Sequence, residues 1–420
     1  MFKKILIFAL CALLIISFAG CASNGNNDND TQNEQTAADQ AASGEDNGGL
    51  FHLKVAYSPS LCQAPLHIAV EKGFFEEEGI DAENIQVEAA HVMEAVGAGQ
   101  VDVGFGLIGK FLLPIENGLN IRFTAGIHTG CIKILSLPDS GINSIADLRG
   151  KKIGVTGLAG AETIVAKRAL ANEGISFDEQ APEVEFLVFA SSDMGQALQN
   201  GAVDVIALAD PNASQYEDEY GLTVLLDTAA SEGFRDEYCC GAFVTEALAT
   251  EHPEIAAAYT RAVLKAAVWV NEHPEEAAQI QIEKNYVAGD AEFNAKVLRS
   301  YNYIPSVQGG YDAIQLSVAQ LTDIGILKEG TVAKEFADNA YIFFDDVPDT
   351  YAPEEIGLSV SDKTSETSLE ISTVSYSEDG VEYDELFGED CCSKNPAAND
   401  CCESANGYGV SKTRADTLYT

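Results

Sequence analysis

Apolar and polar positions change their rhythm three times along the chain. Behind Lys3 and Lys4, Ile5 to Phe18 is one apolar run, followed by Ala19, Gly20 and Cys21. The run is shorter than the ~20 residues a spanning helix needs, so residues 1–20 read as a secretory leader. Residues 22–49 are mostly Asn, Asp, Gln, Gly and Ala. They cannot bury a core and read as a flexible tether. From Leu53 short apolar runs alternate with helical periodicity. Leu53–Tyr57, Val101–Phe105 and Lys152–Thr156 read as strands. Leu66, Ala69, Val70 and Phe74 recur at helical spacing behind Pro65, which suits a first helical turn. A second helix is expected from about Ala161 to Glu173, and Ser144 and Asp147 have capping-box spacing. This alternation predicts an α/β fold with mainly parallel sheets.

An internal repeat sharpens the picture. Gly99-Gln100-Val101-Asp102-Val103 recurs as Gly201-Ala202-Val203-Asp204-Val205, and Glu78-Gly79-Ile80 recurs as Glu173-Gly174-Ile175. Two copies of one α/β unit imply two similar lobes. From Thr245 to Lys334 the pattern is mainly helical, with Ala256–Val270 rich in helix formers. From Pro348 to Thr420 it turns acidic and rich in Ser and Thr. This tail is expected to be mostly disordered, and its one dense feature is Cys391-Cys392 followed by Cys401-Cys402.

Charge narrows the partners. Of 420 residues, 66 are Asp or Glu and 24 are Lys or Arg. Such a surface repels phosphate backbones, so nucleic acid is excluded as a partner. Of ten cysteines, Cys11 leaves with the leader, and Cys21 stands where a bacterial lipobox, Phe18-Ala19-Gly20-Cys21, would place the lipidated mature N-terminus. The other eight allow 105 disulfide connectivities. Disulfides, inert packing and metal binding all stay open at this point. No Ser-His-Asp, Walker or Rossmann fingerprint is present.

Four segments in order carry a family resemblance: Ala64–Phe75 (APLHIAVEKGFF), Gly99–Gly104 (GQVDVG), Ile145–Val155 (IADLRGKKIGV) and Val270–Ala278 (VNEHPEEAA). The stretch from Leu53 to about Phe344 resembles the nitrate, sulfonate, taurine and thiamine-precursor solute-binding proteins of ABC importers. The resemblance implies a two-lobed periplasmic-binding-protein fold with two inter-lobe crossing strands, near Cys131–Leu137 and Tyr238–Phe243. Lobe one would comprise 53–130 and 241–345, lobe two 131–240, and the tail 346–420. It also implies a non-enzymatic protein outside the cytoplasm, lipid-anchored to the membrane and partnered by an ABC permease and ATPase. The small ligand would be clamped by hinge closure.

Ligands of open α/β sheets sit beyond the carboxyl ends of strands. That rule selects Ser58, Ser60, Cys62 and Gln63 after the first strand, and Phe105 after the repeat strand. It also selects His128, Thr129 and Cys131 at the first crossing. Gly160, Ala161 and Thr163 open a helix whose N-terminus favours an anion. Asp210 follows the second repeat strand, and Tyr238, Cys239 and Cys240 lie at the second crossing. The expected ligand is a sulfonate, nitrate or thiamine precursor, or a soft metal ion or metal complex. The last follows from Cys62, Cys131, Cys239 and Cys240, since thiolates select soft metals, with His128 adding a nitrogen donor. Strand alternation predicts that only one of Cys239 and Cys240 faces the cleft. The paired tail cysteines, Cys391, Cys392, Cys401 and Cys402, form a second candidate thiolate set. His67 and His91 read as packing or surface residues and Trp269 as core. Two alternatives stand beside transport: an extracellular metal or redox sensor, and an enzyme resembling the yeast-type thiamine-pyrimidine synthases, of whose cysteine motif Tyr238–Phe243 is reminiscent.

Overall fold

Short apolar runs become strands, and the amphipathic stretches between them become covering helices, in a computed structural model that describes residues 49–358. The leader, the tether with Cys21 and the tail cysteines lie outside the described residues. The strands are β1 (Phe51–Tyr57), β2 (Ile80–Gln86), β3 (Val103–Leu107), β4 (Ile121–His128), β5 (Ile132–Ser136), β6 (Lys152–Val155), β7 (Glu185–Val188), β8 (Val205–Ala209), β9 (Thr223–Asp227) and β10 (Cys240–Thr245). They form two five-stranded sheets, ordered β2-β1-β3-β10-β4 and β7-β6-β8-β5-β9. Each sheet is the floor of one α/β lobe.

Both sheets are mixed, which corrects the expectation of mainly parallel ones. β1 runs parallel to β2 and β3, and β6 runs parallel to β7 and β8. β10 is antiparallel to β3 and β4, and β5 is antiparallel to β8 and β9. Connectivity supplies the reason. β5 and β10 enter their sheets directly from the other lobe, so they start at the cleft edge where their neighbours end.

The repeated segment has a matching structural job in each lobe. β3 and β8 both lie between a parallel strand and the antiparallel newcomer. The Asp102 Oδ2 accepts from Lys54 N at 2.9 Å, and Asp204 Oδ2 accepts from Lys152 N at 2.7 Å. Each aspartate thus fastens the neighbouring parallel strand, and its own backbone N–H returns a bond to the same residue's carbonyl. Gly99 and Gly201, with φ of 65° and 69°, provide the left-handed turn that ends the preceding helix.

Helices from the C-terminal region cover the first sheet. The longest, Pro253–Glu272, buries Ala256, Tyr259, Val263 and Trp269. Ser306 caps the helix Val307–Asp323 by accepting from Gly309 N, and Asp290 caps Ala291–Ser300 by accepting from Phe293 N. The Ser144–Asp147 capping box is present. His67 is fully buried, stacked on Tyr286 with ring centroids 4.0 Å apart, while His91 is exposed.

Candidate metal centre

The cleft edge collects four cysteines from three chain segments. Cys62 lies in the turn after β1. Gln63 shapes that turn: its Oε1 accepts from Ser58 N at 2.9 Å and its Nε2 donates to Phe105 O at 3.4 Å. The Ser58 hydroxyl donates to Val87 O, so Ser58 and Gln63 serve the loop rather than a ligand. Cys131 lies where the chain first leaves lobe one; its N–H donates to Thr228 Oγ1 at 3.0 Å and its carbonyl accepts from Asp210 N. Cys239 and Cys240 lie at the return crossing, opposite His128.

The sulfurs converge. Cys131 Sγ is 3.6 Å from Cys239 Sγ and 4.0 Å from Cys240 Sγ, and the last two are 3.7 Å apart. Cys62, Cys131 and Cys240 lie mutually within 4.8 Å. All four are unpaired; Cys62, Cys131 and Cys240 are buried and Cys239 is half-buried. Both members of the vicinal pair therefore turn toward the cluster, against the expectation of alternation. Cys239 precedes β10, and the register with β4 shifts between Cys240 and Gly241, so regular strand geometry does not apply there.

His128 completes the group. Its Nδ1 is 3.1 Å from Thr129 O and 3.6 Å from Cys239 Sγ. The ring lies among Phe105, Tyr301 and Tyr303, at centroid distances of 5.7, 5.4 and 5.2 Å. His128 Nε2 and the Tyr301 hydroxyl are buried with no hydrogen-bond partner. Buried polar atoms are normally satisfied, so these two, close to the free thiols, have capacity left to bind a ligand.

A three-thiol triangle with edges of 3.6–4.0 Å has its corners about 2.2 Å from its centre, just under the ~2.3 Å of a zinc–thiolate bond. An ion slightly above that plane would reach Cys131, Cys239 and Cys240 together, with Cys62 and His128 beside it. The four thiols differ in acidity. Thiol hydrogen bonds from Cys131, then Cys240, and a further one from His128 hold the Cys62 thiol well below its usual range. Burial pushes Cys239 and Cys240 well up, so their protons are retained until something displaces them.

Other predicted site residues have different work. At the helix Ala161–Asn172, Glu162 folds its carboxylate back, and Oε2 accepts from Thr156 Oγ1 at 3.1 Å. A Cβ at Gly160 would lie 2.9 Å from that oxygen. The N-terminal turn expected to receive an external anion thus holds the chain's own, and burial pushes that carboxyl upward. Thr163 donates to Gly157 O at 2.7 Å, and Ala161 is the first residue of the turn. Buried Asp210 accepts from Ser214 N at 2.9 Å, and its carbonyl accepts from Ser60 Oγ at 3.3 Å, joining the two lobes. Thr129 Oγ1 accepts from Asn302 Nδ2 at 2.9 Å. Tyr238 donates to Ile304 O, and its ring fills the space over Gly126 and Gly309. Sequence reasoning missed Tyr301, Tyr303 and Glu162; no spacing signal marks them.

Comparison with known proteins places this architecture. Residues 62–277 match the family described as NMT1/THI5 like. A putative aliphatic sulfonates-binding protein of Bacillus subtilis is 27% identical over 287 residues, 66% of this chain and 77% of that protein. A 4-amino-5-hydroxymethyl-2-methylpyrimidine phosphate synthase of Aspergillus parasiticus is 26% identical over 255 residues, 57% of this chain and 72% of that protein. The periplasmic nitrate-binding protein NrtA of Synechocystis PCC 6803 superposes with a TM-score of 0.58 at 17% identity, covering 70% of this chain and 86% of that one. With more than half of its length matched, the chain belongs to the NMT1/THI5-like family.

Proposed function

We propose that this chain is the extracytoplasmic solute-binding subunit of an ABC importer and that its solute is a soft metal ion. The observation that carries the reading is the cluster of free thiols at the lobe boundary, with Sγ–Sγ distances of 3.6, 3.7 and 4.0 Å. Cys131, Cys239 and Cys240 are the primary donors in this account; Cys62 and His128 complete the set. Support also comes from Glu162. Its carboxylate fills the helix N-terminus that a sulfonate or nitrate would use. A buried cluster of sulfur donors with one acidified thiol favours a soft cation over an anion.

Capture then couples to closure. Cys62 and Cys240 belong to the lobe built on the first sheet, whereas Cys131 leads into β5 of the second. An ion bound by all three ties the lobes together, as ligand-driven hinge closure requires. Delivery to a permease and ATPase is part of this reading, supported by the likeness to binding proteins, and Cys21 is taken as the lipid anchor. Replacing Cys21 with Ser is expected to release the protein from the membrane fraction; unchanged fractionation overturns the anchor.

The metal assignment is tested on the reduced full chain. After anaerobic dialysis against zinc or monovalent copper, the metal-to-protein ratio is compared with that of the Cys131→Ser/Cys240→Ser variant. The reading requires the variant to lose about one equivalent. Equal ratios refute it, because the tail cysteines are common to both proteins.

A further inference from the structure

We infer that Cys239 and Cys131 are a redox pair that reacts with low-molecular-weight disulfides. Two observations carry this. The two sulfurs lie 3.6 Å apart and come from segments far apart in the chain. Cys239 is also the half-buried member, and it lines a recess formed with Leu107, Ile164, Arg168, Tyr238 and Leu321. Cys62, Cys131 and Cys240 do not line that recess. A reagent arriving there meets one sulfur, with a second directly behind it. The vicinal alternative, Cys239 with Cys240, is disfavoured by the strain of linking adjacent residues.

The chemistry balances without a further reactant. Cys239, on losing its proton, attacks through Sγ one sulfur of the disulfide RSSR, forming a mixed disulfide and breaking the R–S–S–R bond, and the first RS group departs. Cys131 Sγ then attacks Cys239 Sγ, forming the Cys131–Cys239 bond and expelling the second RS group. The two thiol protons end on the two departing groups. Two protein thiols are oxidised and one RSSR is reduced to two RSH. The exchange stands independently of metal binding. Its consequence for capture rests on the proposed metal reading: linkage removes two of three primary donors, so an oxidised cleft cannot hold the ion. An exported protein meets an oxidising compartment, so solute capture would then require a reductant.

The test uses 2-hydroxyethyl disulfide on the anaerobically reduced full chain, with acid quenching and peptide mass mapping. The expected cleft product is a peptide pair linked through Cys131 and Cys239. The Cys131→Ser variant, unable to complete the second step, is expected to accumulate the hydroxyethyl adduct on Cys239. Linkage through other cleft cysteines, no cleft linkage, or adducts in that variant falling mainly on Cys62 or Cys240 overturns the proposal. A zinc titration separates the two ideas. If the reduced chain binds no zinc in the cleft, the metal reading fails while the exchange stands. If the linked chain binds cleft zinc as well as the reduced one, the coupling between them fails.

Discussion

The carboxyl of Glu162 bends over Thr156 and the first turn of its own helix, so an external anion approaching that turn meets an occupied position. Isothermal titration with ethanesulfonate or nitrate is therefore expected to show no saturable heat at neutral pH; a micromolar isotherm would contradict this. The thiols make the complementary prediction. Cys131→Ser or Cys240→Ser removes a primary donor and should weaken metal affinity by about 100-fold or more. His128→Ala should cost roughly 10- to 100-fold, the scale of a supporting ligand. Competition with a chelator of known affinity checks both, and equal effects at all three positions would contradict the assigned hierarchy. Much of this was legible beforehand: Cys62, Cys131, Cys239 and Cys240 each follow or begin a recognisable strand, so the fold had to bring them to one edge. Glu162 was not legible, because a Glu in a first helical turn ordinarily faces solvent. Tyr301 and Tyr303 were hidden because their loop is placed by helix packing rather than by strand periodicity.

At the level of elements, the repeat around Asp102 and Asp204 was visible as a string of letters, but its meaning was not. Only the sheets reveal that both aspartates accept from a backbone N–H of the adjacent parallel strand. Asp102→Ala and Asp204→Ala should each lower unfolding stability by about 1.5–3 kcal/mol, the range for a hydrogen bond to a charged group. Denaturant midpoints at constant slope check this, and wild-type midpoints would contradict it. The antiparallel entry of β5 and β10 was equally invisible, since local sequence does not encode strand direction. A second element-level prediction concerns His67 in the helix Ala64–Glu71. Burial pulls its pKa from 6.5 down to about 3. Its folded value is below its unfolded one, so the unfolded chain binds more protons between those limits. The stabilising contribution is complete above pH 6.5 and is lost as pH falls toward 3. The loss is at most of order 4–5 kcal/mol. His67→Phe, which keeps a ring against Tyr286, should flatten the decline in stability between pH 6.5 and 4. An unaltered pH profile would contradict that role.

Across the whole molecule, several groups span the two lobes. Glu237 accepts from Arg168 at 2.6 Å and from Gln320 at 3.0 Å, linking the helix Ala161–Asn172 of one lobe to Val307–Asp323 of the other. The bond from Ser60 to Asp210 O does the same beside the thiols. An ion bound among Cys62, Cys131, Cys239 and Cys240 would add to these ties. Saturation at 1,000 times Kd should raise stability by about 4 kcal/mol, and the gain should shrink at acid pH, where protons compete for the sulfurs. The two-lobed plan was readable from the repeat and the strand–helix alternation. The closeness of the sulfurs was not, because it depends on how the lobes meet. The most direct measurement is diffraction collected at the metal's absorption edge, from crystals of reduced protein grown anaerobically with zinc. The account predicts one anomalous peak about 2.3 Å from the sulfurs of Cys131, Cys239 and Cys240. A cleft without such a peak, or one holding an organic anion clear of the cysteines, would contradict it.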